Sequence, residues 1–234
     1  MLNGSKTFIS NAGIADFYTL FASTDPAARG KGITCFVVPS DAPGLRFVRP
    51  QILSAAHPLG EIALEDCTVP AENRLGDEGR GLPLGLATLD RLRATVGAAA
   101  CGMAARAVSE ALAHARSRRQ FGKPLAEFQL VQEKLARMAT DLTAARLLVH
   151  RAAWEADGGA PRVTLEASMA KAFATEAAQR IVDDAVQILG GAGVMASNPV
   201  DRLYRAVRAL RIYEGTTEIQ LLTIAGRMLT DADA

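Results

Sequence analysis

Residues 130–153 read LVQEKLARMATDLTAARLLVHRAA, and their apolar positions recur at alternating intervals of four and three residues. These positions are Val131, Leu135, Met138, Leu142, Ala145, Val149 and Ala152. The spacing puts one apolar stripe on a single helix face and is typical of a helix packed at a shallow angle in a bundle. It predicts a helix that starts near Phe128 and ends at the Gly158-Gly159 pair.

The flanking sequence predicts further helices. Pro83 suits a first helical turn, where its missing N–H is not needed, and it indicates a helix over residues 83–117. Another helix is expected over residues 165–189, because the glycine-rich segment 190–193 would end it.

The chain after residue 193 is expected to continue as helix. A short helix is predicted after Pro199, and a last helix is predicted after Gly215, with Thr216 or Thr217 as its N-cap. Residues 232–234 are expected to fray. The order of these elements predicts an up-and-down helical bundle over residues 76–234.

The first 75 residues have a different character. Short runs rich in Val, Ile, Phe, Tyr and Thr alternate with Gly, Pro, Asn and Asp, which predicts an antiparallel β domain. Asn3-Gly4 and Pro43-Gly44 are turn dipeptides. Partial alternation in the first run assigns one strand face to Leu2, Lys6, Phe8 and Ser10, and the other to Thr7 and Ile9. The fold class is therefore α+β, with a partial β domain at residues 1–75 before the bundle.

Composition excludes several function classes. The 234 residues carry a net charge of +1, which predicts no electrostatic attraction to nucleic acid or anionic membranes. No apolar run is long enough to span a bilayer, and the first residues lack a secretion pattern. Three scattered cysteines then indicate reduced thiols in a cytoplasmic protein, and three histidines without ligand spacing make a metal site unexpected.

The segment RIYEGTTEIQ, residues 211–220, is the strongest candidate for chemistry. It places the Glu214 carboxylate and Gly215 before two hydroxyl residues, where a helix should begin. A helix amino terminus offers unpaired N–H groups and partial positive charge, which suit an anionic ligand or a developing oxyanion. The alternative is a capping segment in which Thr216 caps the helix and Glu218 favours its dipole.

Three other segments each have a structural and a functional interpretation. Arg118 and Arg119 could hold phosphates or simply complement a helix end. The glycines at 190–193 close a helix and lack the G-x-G-x-x-G spacing, so by themselves they indicate a helix stop. Asp90 and Arg93 share a helix face, and the default interpretation is an exposed ion pair.

Taken in order, five segments resemble the acyl-CoA dehydrogenase family, and the resemblance covers nearly the whole chain. They are LNGSKTFISNAGIADFYTLFAS, LEDCTVPAENRLGDEGRG with LDRLR, RRQFGKPLAEFQLVQEKLARMATDL, QILGGAGV and RIYEGTTEIQ. The resemblance implies an FAD enzyme that oxidises an acyl-CoA thioester to the 2,3-enoyl-CoA. It further implies that Glu214 abstracts the α-proton while hydride passes to flavin N5, with electron-transfer flavoprotein as electron acceptor and a homotetramer as the assembly.

The resemblance also implies further site residues. Those expected beside the flavin or its adenosine half are Phe8, Ile9, Ser10, Arg118, Gln129, Gln187, Ile188, Leu189, Gly190, Gly191, Thr216, Thr217 and Glu218. Those expected to contact acyl-CoA are Asp90, Arg93, Tyr213 and Gly215. Some members place the base before the arginine that Arg93 matches, but this chain has Leu92 there, which leaves Glu214 as the candidate base.

Two departures from the family pattern affect what can be expected. Residues 51–61 lack the methionine-glycine and arginine-serine pattern of many members. The family's N-terminal helical domain and an early β-strand also have no counterpart here, so the chain alone is expected to bind FAD poorly, which its visible absorbance would test. A related acyl-CoA oxidase and an inactive truncated subunit with a role in assembly stay as alternatives. Glu214 argues against nitroalkane oxidases and flavin monooxygenases, which have Asp or no base there.

Overall fold

The structure, a computed structural model, describes residues 1–231 and divides into two compact units, Met1–Thr88 and Leu89–Ala234. The division falls within the first long helix. The predicted fraying of residues 232–234 concerns positions outside the described residues.

The first unit contains two three-stranded antiparallel sheets. Their strands are β1 (Leu2–Ser10), β2 (Phe17–Ser23), β3 (Ile33–Pro39), β4 (Leu45–Pro50), β5 (Leu59–Cys67) and β6 (Arg74–Leu75). One sheet has the order β1-β5-β4 and the other the order β2-β3-β6. The predicted antiparallel β structure is confirmed. Short 3-10 helices at Pro26–Gly32 and Ala71–Asn73 connect strands.

Strand β1 corrects two sequence predictions. Asn3-Gly4 does not turn the chain, since Gly4 pairs with Leu64 inside the strand, beside a register shift that a glycine accommodates. The predicted faces are also wrong beyond Lys6, because a second register shift follows and Phe8 has a φ of 57°. As a result Ile9 is half-buried while Phe8 and Ser10 are exposed. The Pro43-Gly44 turn is confirmed by the positive φ of Gly44 just before β4.

The second unit is helical. Its helices are α1 (Gly81–Ser117, which begins in the first unit), α2 (Gln129–Asp157), α3 (Thr164–Leu189), α4 (Pro199–Leu210) and α5 (Thr217–Asp231). A small hairpin of β7 (Arg119–Gln120) and β8 (Lys123–Pro124), followed by a 3-10 turn at Leu125–Glu127, joins α1 to α2. Another 3-10 turn at Gly190–Val194 follows α3. The predicted helices and their glycine stops are confirmed.

The core of the bundle follows the predicted apolar stripe. Met138, Leu142, Ala145, Val149 and Ala152 of α2 are all buried. They share one core cluster with an alanine-rich face of α1, formed by Ala100, Ala104, Ala107, Ala111 and Ala115. Small side chains let helix backbones approach closely, so the alanine content explains how these long helices pack.

Ion pairs and hydrogen bonds define two ends of the bundle. Lys134 near the start of α2 pairs with Asp184 near the end of α3 at 2.7 Å, so α2 and α3 are antiparallel. At the opposite end, the Thr164 hydroxyl at the start of α3 donates to Asp90 of α1. We call the end that holds residues 90–93, the start of α3 and the segment 211–217 the Glu214 end. The end that holds residues 118–129 and the close of α3 is the Phe121 end.

Candidate active site

Glu214 lies in a tight turn between α4 and α5. It has a φ of 55°, and Gly215 follows with a φ of 92°, so two successive residues are left-handed. The turn is closed by the Thr217 N–H, which donates to the Arg211 carbonyl at 3.1 Å. Two features favour glycine at position 215. Its φ is in the left-handed region, and a Cβ there would lie 2.6 Å from Gln220 Nε2.

Three buried side chains hold the two carbonyl groups of this turn. The Glu214 carbonyl accepts from Gln220 Nε2 at 3.1 Å and from Arg93 Nε at 3.4 Å. The Gly215 carbonyl accepts from Lys171 Nζ at 2.7 Å and from Gln220 Nε2 at 3.1 Å. We call Arg93, Lys171 and Gln220 the carbonyl cradle. Lys171 and Gln220 are both 0% exposed, so the turn is fixed from inside the bundle.

The Glu214 carboxylate is partly desolvated. Its Oε2 atom is buried and has no hydrogen-bond donor within the described part of the chain. Burial raises the pKa of Glu214, and the nearby cations Lys171 and Arg93 oppose that rise without cancelling it. A carboxylate of raised pKa with a free oxygen is suited to accept a proton.

Lys171 is the cationic neighbour of this carboxylate. Burial lowers the pKa of Lys171 to about 8, while the charge of Glu214 acts in the opposite direction. The shift reflects the cost of placing an ammonium group where water cannot reach it.

Asp90 and Arg93 form a buried pair, which corrects the expectation of an exposed one. Arg93 Nη1 donates to Asp90 Oδ1 at 3.0 Å, and both side chains are mostly covered. The second Asp90 oxygen accepts from the Thr164 hydroxyl. The pair is covered because Arg93 lies under the Glu214 carbonyl, a contact that helical spacing alone does not reveal.

The start of α5 contains the other predicted residues of this segment. Thr216 Oγ1 accepts from the Ile219 N–H at 3.4 Å, which confirms Thr216 as the capping residue. Hydrogen bonds from a backbone amide and from Thr216 lower the pKa of Glu218, so this carboxylate stays ionised at the helix start. Tyr213 is exposed in part, and burial of its ring raises the pKa of its hydroxyl.

Thr217 faces a different side of the bundle. Its hydroxyl donates to Glu176 Oε1 at 2.7 Å, and Arg211 Nε donates to the same oxygen at 2.8 Å. Beside them a cavity of about 370 Å³ lies between α2, α3 and α5. Its lining consists of Leu148, Met169, Ala172, Phe173, Glu176, Thr217, Leu221 and Ile224. Glu214 is not among these residues, so the cavity is separate from the candidate base.

The predicted cofactor residues of the first unit lie on β1. Phe8 is 68% exposed, and the Ser10 hydroxyl is 2.9 Å from His57 Nε2. The Gln51 side chain accepts from the Phe8 N–H at 2.8 Å and donates to Thr7 Oγ1 at 2.7 Å. Gln51 and His57 belong to residues 51–61, the segment that departs from the family pattern. Their contacts with β1 were not predicted, and the unusual sequence of this segment was the available signal for them.

The remaining predicted cofactor residues lie at the Phe121 end. Arg118, Gln129 and Gln187 are exposed there, as are Gly190 and Gly191. Ile188 and Leu189 instead contribute their side chains to the core, so only their backbone could face a ligand. Arg118 follows Ser117, the last residue of α1, which at 1.5 Å per residue is about 36 Å from Arg93. One copy of the bundle therefore does not bring its two groups of predicted residues together.

Lys171 and Gln220 are functional candidates that sequence reasoning missed. Lys171 is a lone cation between Ala170 and Ala172 on α3, and such an isolated charge in an apolar helix was the available signal. Gln220 had no comparable signal, because a polar residue in the first turns of a helix is ordinary.

Residues 1–231 contain neither a metal-binding cluster nor a membrane-spanning helix. No group of three or more His, Cys, Asp or Glu residues is arranged to hold a metal ion there. None of the described helices combines the length and the apolar character needed to cross a membrane. Cys35, Cys67 and Cys101 are free and buried, and burial raises the pKa of each thiol.

Comparison with known proteins gives matches over almost the whole chain. The family models "Acyl-CoA dehydrogenase, middle domain" and "Acyl-CoA dehydrogenase, C-terminal domain" match residues 1–67 and 79–229. The 3-(aryl)acrylate reductase of Clostridium sporogenes is 45% identical over 231 residues, which are 98% of this chain and 61% of the relative.

Solved structures agree with these matches. Butyryl-CoA dehydrogenase from Megasphaera elsdenii aligns with a TM-score of 0.94 at 41% identity, over 97% of this chain and 60% of that one. A chain in a structure described as the electron transferring flavoprotein of Acidaminococcus fermentans also has a TM-score of 0.94, at 39% identity over 97% of this chain and 60% of its own length. The chain thus spans about three-fifths of the length of these proteins.

Proposed function

Because this chain belongs to the acyl-CoA dehydrogenase family, we propose that it supplies the catalytic base of an FAD-dependent enzyme that converts an acyl-CoA thioester to its 2,3-enoyl-CoA. In this proposal Glu214 removes the α-proton. The observation that carries it is the buried Glu214 Oε2 atom, which has no donor in the described part of the chain and belongs to a carboxyl group of raised pKa.

The proton step follows from these features. The α-hydrogen of a thioester is weakly acidic, so a carboxylate can remove it only if the developing enolate oxygen is stabilised. No hydrogen bond in the described part of the chain uses the Glu214 N–H, so this group is free to donate to that oxygen. The carbonyl cradle keeps the turn from moving, which preserves the orientation of both the carboxylate and this N–H.

The residues present fit FAD. Phe8 offers an exposed aromatic ring beside the Ser10 hydroxyl, and Arg118 offers an exposed guanidinium that suits a phosphate. A Cβ added at Gly190 or Gly191 would meet nothing within 4 Å, so a ligand can approach the backbone there. When bound, FAD supplies the acceptor for the hydride of the β-carbon.

The separation of the two bundle ends supports an assembly. The base lies at the Glu214 end, whereas Arg118, Gln129, Gln187, Gly190 and Gly191 lie at the Phe121 end. We propose that these residues serve the cofactor bound by a neighbouring copy in a homotetramer. Electron-transfer flavoprotein is proposed as the electron acceptor, and the matching chain in the Acidaminococcus structure supports that partner.

The reverse reaction uses the same groups. A protonated Glu214 can return the proton to the α-carbon, and reduction is the direction in the name of the Clostridium relative.

The test uses purified protein in saturating FAD, because the chain alone is expected to bind FAD poorly, with butyryl-CoA as the probe. The expected result is loss of the visible flavin absorbance on mixing, and a rate lower by about 10²–10⁴-fold in Glu214→Gln. Thr140→Val, a change on an exposed face of α2, serves as the control and should keep the full rate. Retention of the rate in Glu214→Gln would contradict the proposal.

A further inference from the structure

We propose that Lys171 is a positioning residue for the base, which holds the Gly215 carbonyl to fix the Glu214 turn and places a positive charge beside the carboxylate without pairing with it. This inference rests on the proposed function, because it assigns Lys171 a role through Glu214 rather than a contact with substrate.

The burial of the Lys171 ammonium group is energetically unfavourable, so a functional role would explain why a lysine is present there. Its side chain is 0% exposed and extends from an alanine-rich stretch of α3, where an apolar residue would pack without a desolvation cost. The hydrogen bond of its ammonium goes to the Gly215 carbonyl at 2.7 Å, 44 residues along the chain. Lys171 therefore ties α3 to the turn that carries the base.

The ammonium group is close to Glu214 but does not form an ion pair with it. No carboxylate oxygen in residues 1–231 lies within 4.0 Å of Lys171 Nζ, although the two charges stabilise each other. Direct contact would strongly lower the pKa of the carboxyl and weaken it as a base. Because the ammonium group binds the Gly215 carbonyl instead, its charge favours the ionised form of Glu214 while the carboxylate oxygen stays free for a substrate proton.

Other charged groups surround Lys171 from each neighbouring element. Arg93 of α1 is a second cation, whereas Glu176 of α3, Glu218 of α5 and Glu214 itself are anions. Arg93 also donates to the Glu214 carbonyl, and Gln220 donates to both carbonyls of the turn, so loss of Lys171 would leave one cation beside Glu214 and two side chains that still hold the turn. The effect of removing Lys171 should therefore be a shift in the base rather than its complete loss.

Two variants separate the charge from the hydrogen bond. Lys171→Met keeps the unbranched shape but removes both, and Lys171→Gln keeps a donor without the charge. Lys134→Met is the matched control, because Lys134 is also a bundle lysine with a 2.7 Å bond but lies at the Phe121 end.

The readout independent of cofactor is the titration of the Glu214 carboxyl, followed by NMR of protein labelled at glutamate δ-carbons. Glu214→Gln identifies its signal. Both Lys171 variants should raise the pKa of Glu214 further, and only Lys171→Met should also shift the Gly215 and Thr216 amide signals. Lys134→Met should change neither.

The kinetic readout uses the FAD-loaded protein and butyryl-CoA. Lys171→Met should lower kcat by up to about 100-fold with little change in KM, and Lys171→Gln should recover part of that loss. An unmoved Glu214 titration in both variants would overturn the role of Lys171. Full activity of Glu214→Gln would instead overturn the proposed function, whatever the Lys171 variants do. If Lys171→Met does not fold, the Lys171→Gln titration decides.

Discussion

Two turns of the helical unit share positive φ angles at two successive residues and differ in their surroundings. Glu214-Gly215 has φ values of 55° and 92°, and Phe121-Gly122 has φ values of 50° and 82°. The first turn is held at its carbonyls by the buried cradle, and its Glu214 carboxylate is partly desolvated. The second closes the β7–β8 hairpin, with Phe121 91% exposed.

The comparison separates what a local sequence can specify from what it cannot. A glycine at the second position permits two successive left-handed residues, and both turns have such a pair. Burial of the resulting carbonyl groups needs donors, because an unpaired buried carbonyl is costly. At the Glu214 turn these donors come from α1, α3 and α5, and at the Phe121 turn the Gly122 carbonyl accepts from the nearby Arg119 at 2.9 Å.

The largest expected effect comes from adding a methyl group to each turn. Gly215→Ala should lower the free energy of unfolding by about 3–4 kcal/mol, because it combines left-handed strain with displacement of the Gln220 amide and its two hydrogen bonds. Gly122→Ala should cost only about 1 kcal/mol, since a Cβ there meets nothing within 4 Å.

Chemical denaturation of both variants measures this difference. Equal losses of stability in the two variants would mean that the carbonyl cradle does not make the Glu214 turn less tolerant of a methyl group than the exposed Phe121 turn.

The buried lysine gives the second effect, which depends on pH. The pKa of Lys171 is lowered to about 8 from an ordinary value of 10.5, so between these pH values the unfolded chain binds the extra proton. Stability from this group therefore rises with pH across that window, by about 2–3 kcal/mol. Lys171→Met should lack the rise.

The measurement is the free energy of unfolding of both proteins at several pH values from 7 to 10.5. The difference between them cancels the contributions of the three buried thiols and of Tyr213, whose raised pKa values act in the opposite direction at high pH. Parallel curves would show that Lys171 keeps an ordinary pKa.

Sequence predicted the parts of this molecule that depend on short-range patterns. The apolar stripe of α2, the glycine stops and the Thr216 cap follow from helix spacing and capping, and all are confirmed. The faces of β1 were not predictable, because alternation fails at a register shift. The cradle was not predictable either, since Lys171 and Gly215 are 44 residues apart and only the tertiary packing brings them together.

The smallest effect measures how much the buried Glu214 carboxyl lowers the free energy of unfolding. Burial raises the pKa of Glu214, so the folded protein holds its proton to higher pH than the unfolded chain does, and stability falls as pH rises from 4.5 to that raised pKa. Glu214→Gln removes this titration and should be more stable than the unmutated protein at neutral pH, by about 1 kcal/mol or roughly 2–4 °C in Tm. At pH 4 the advantage should disappear, because both states are then protonated.

Phe121→Ala, the matching change in the exposed turn, should alter Tm at neither pH by more than about 1–2 °C, since a surface side chain contributes little to stability. The contradicting result is a Tm difference between Glu214→Gln and the unmutated protein that is more negative at neutral pH than at pH 4. It would mean that the ionised carboxylate stabilises the fold and does not have the raised pKa of a base.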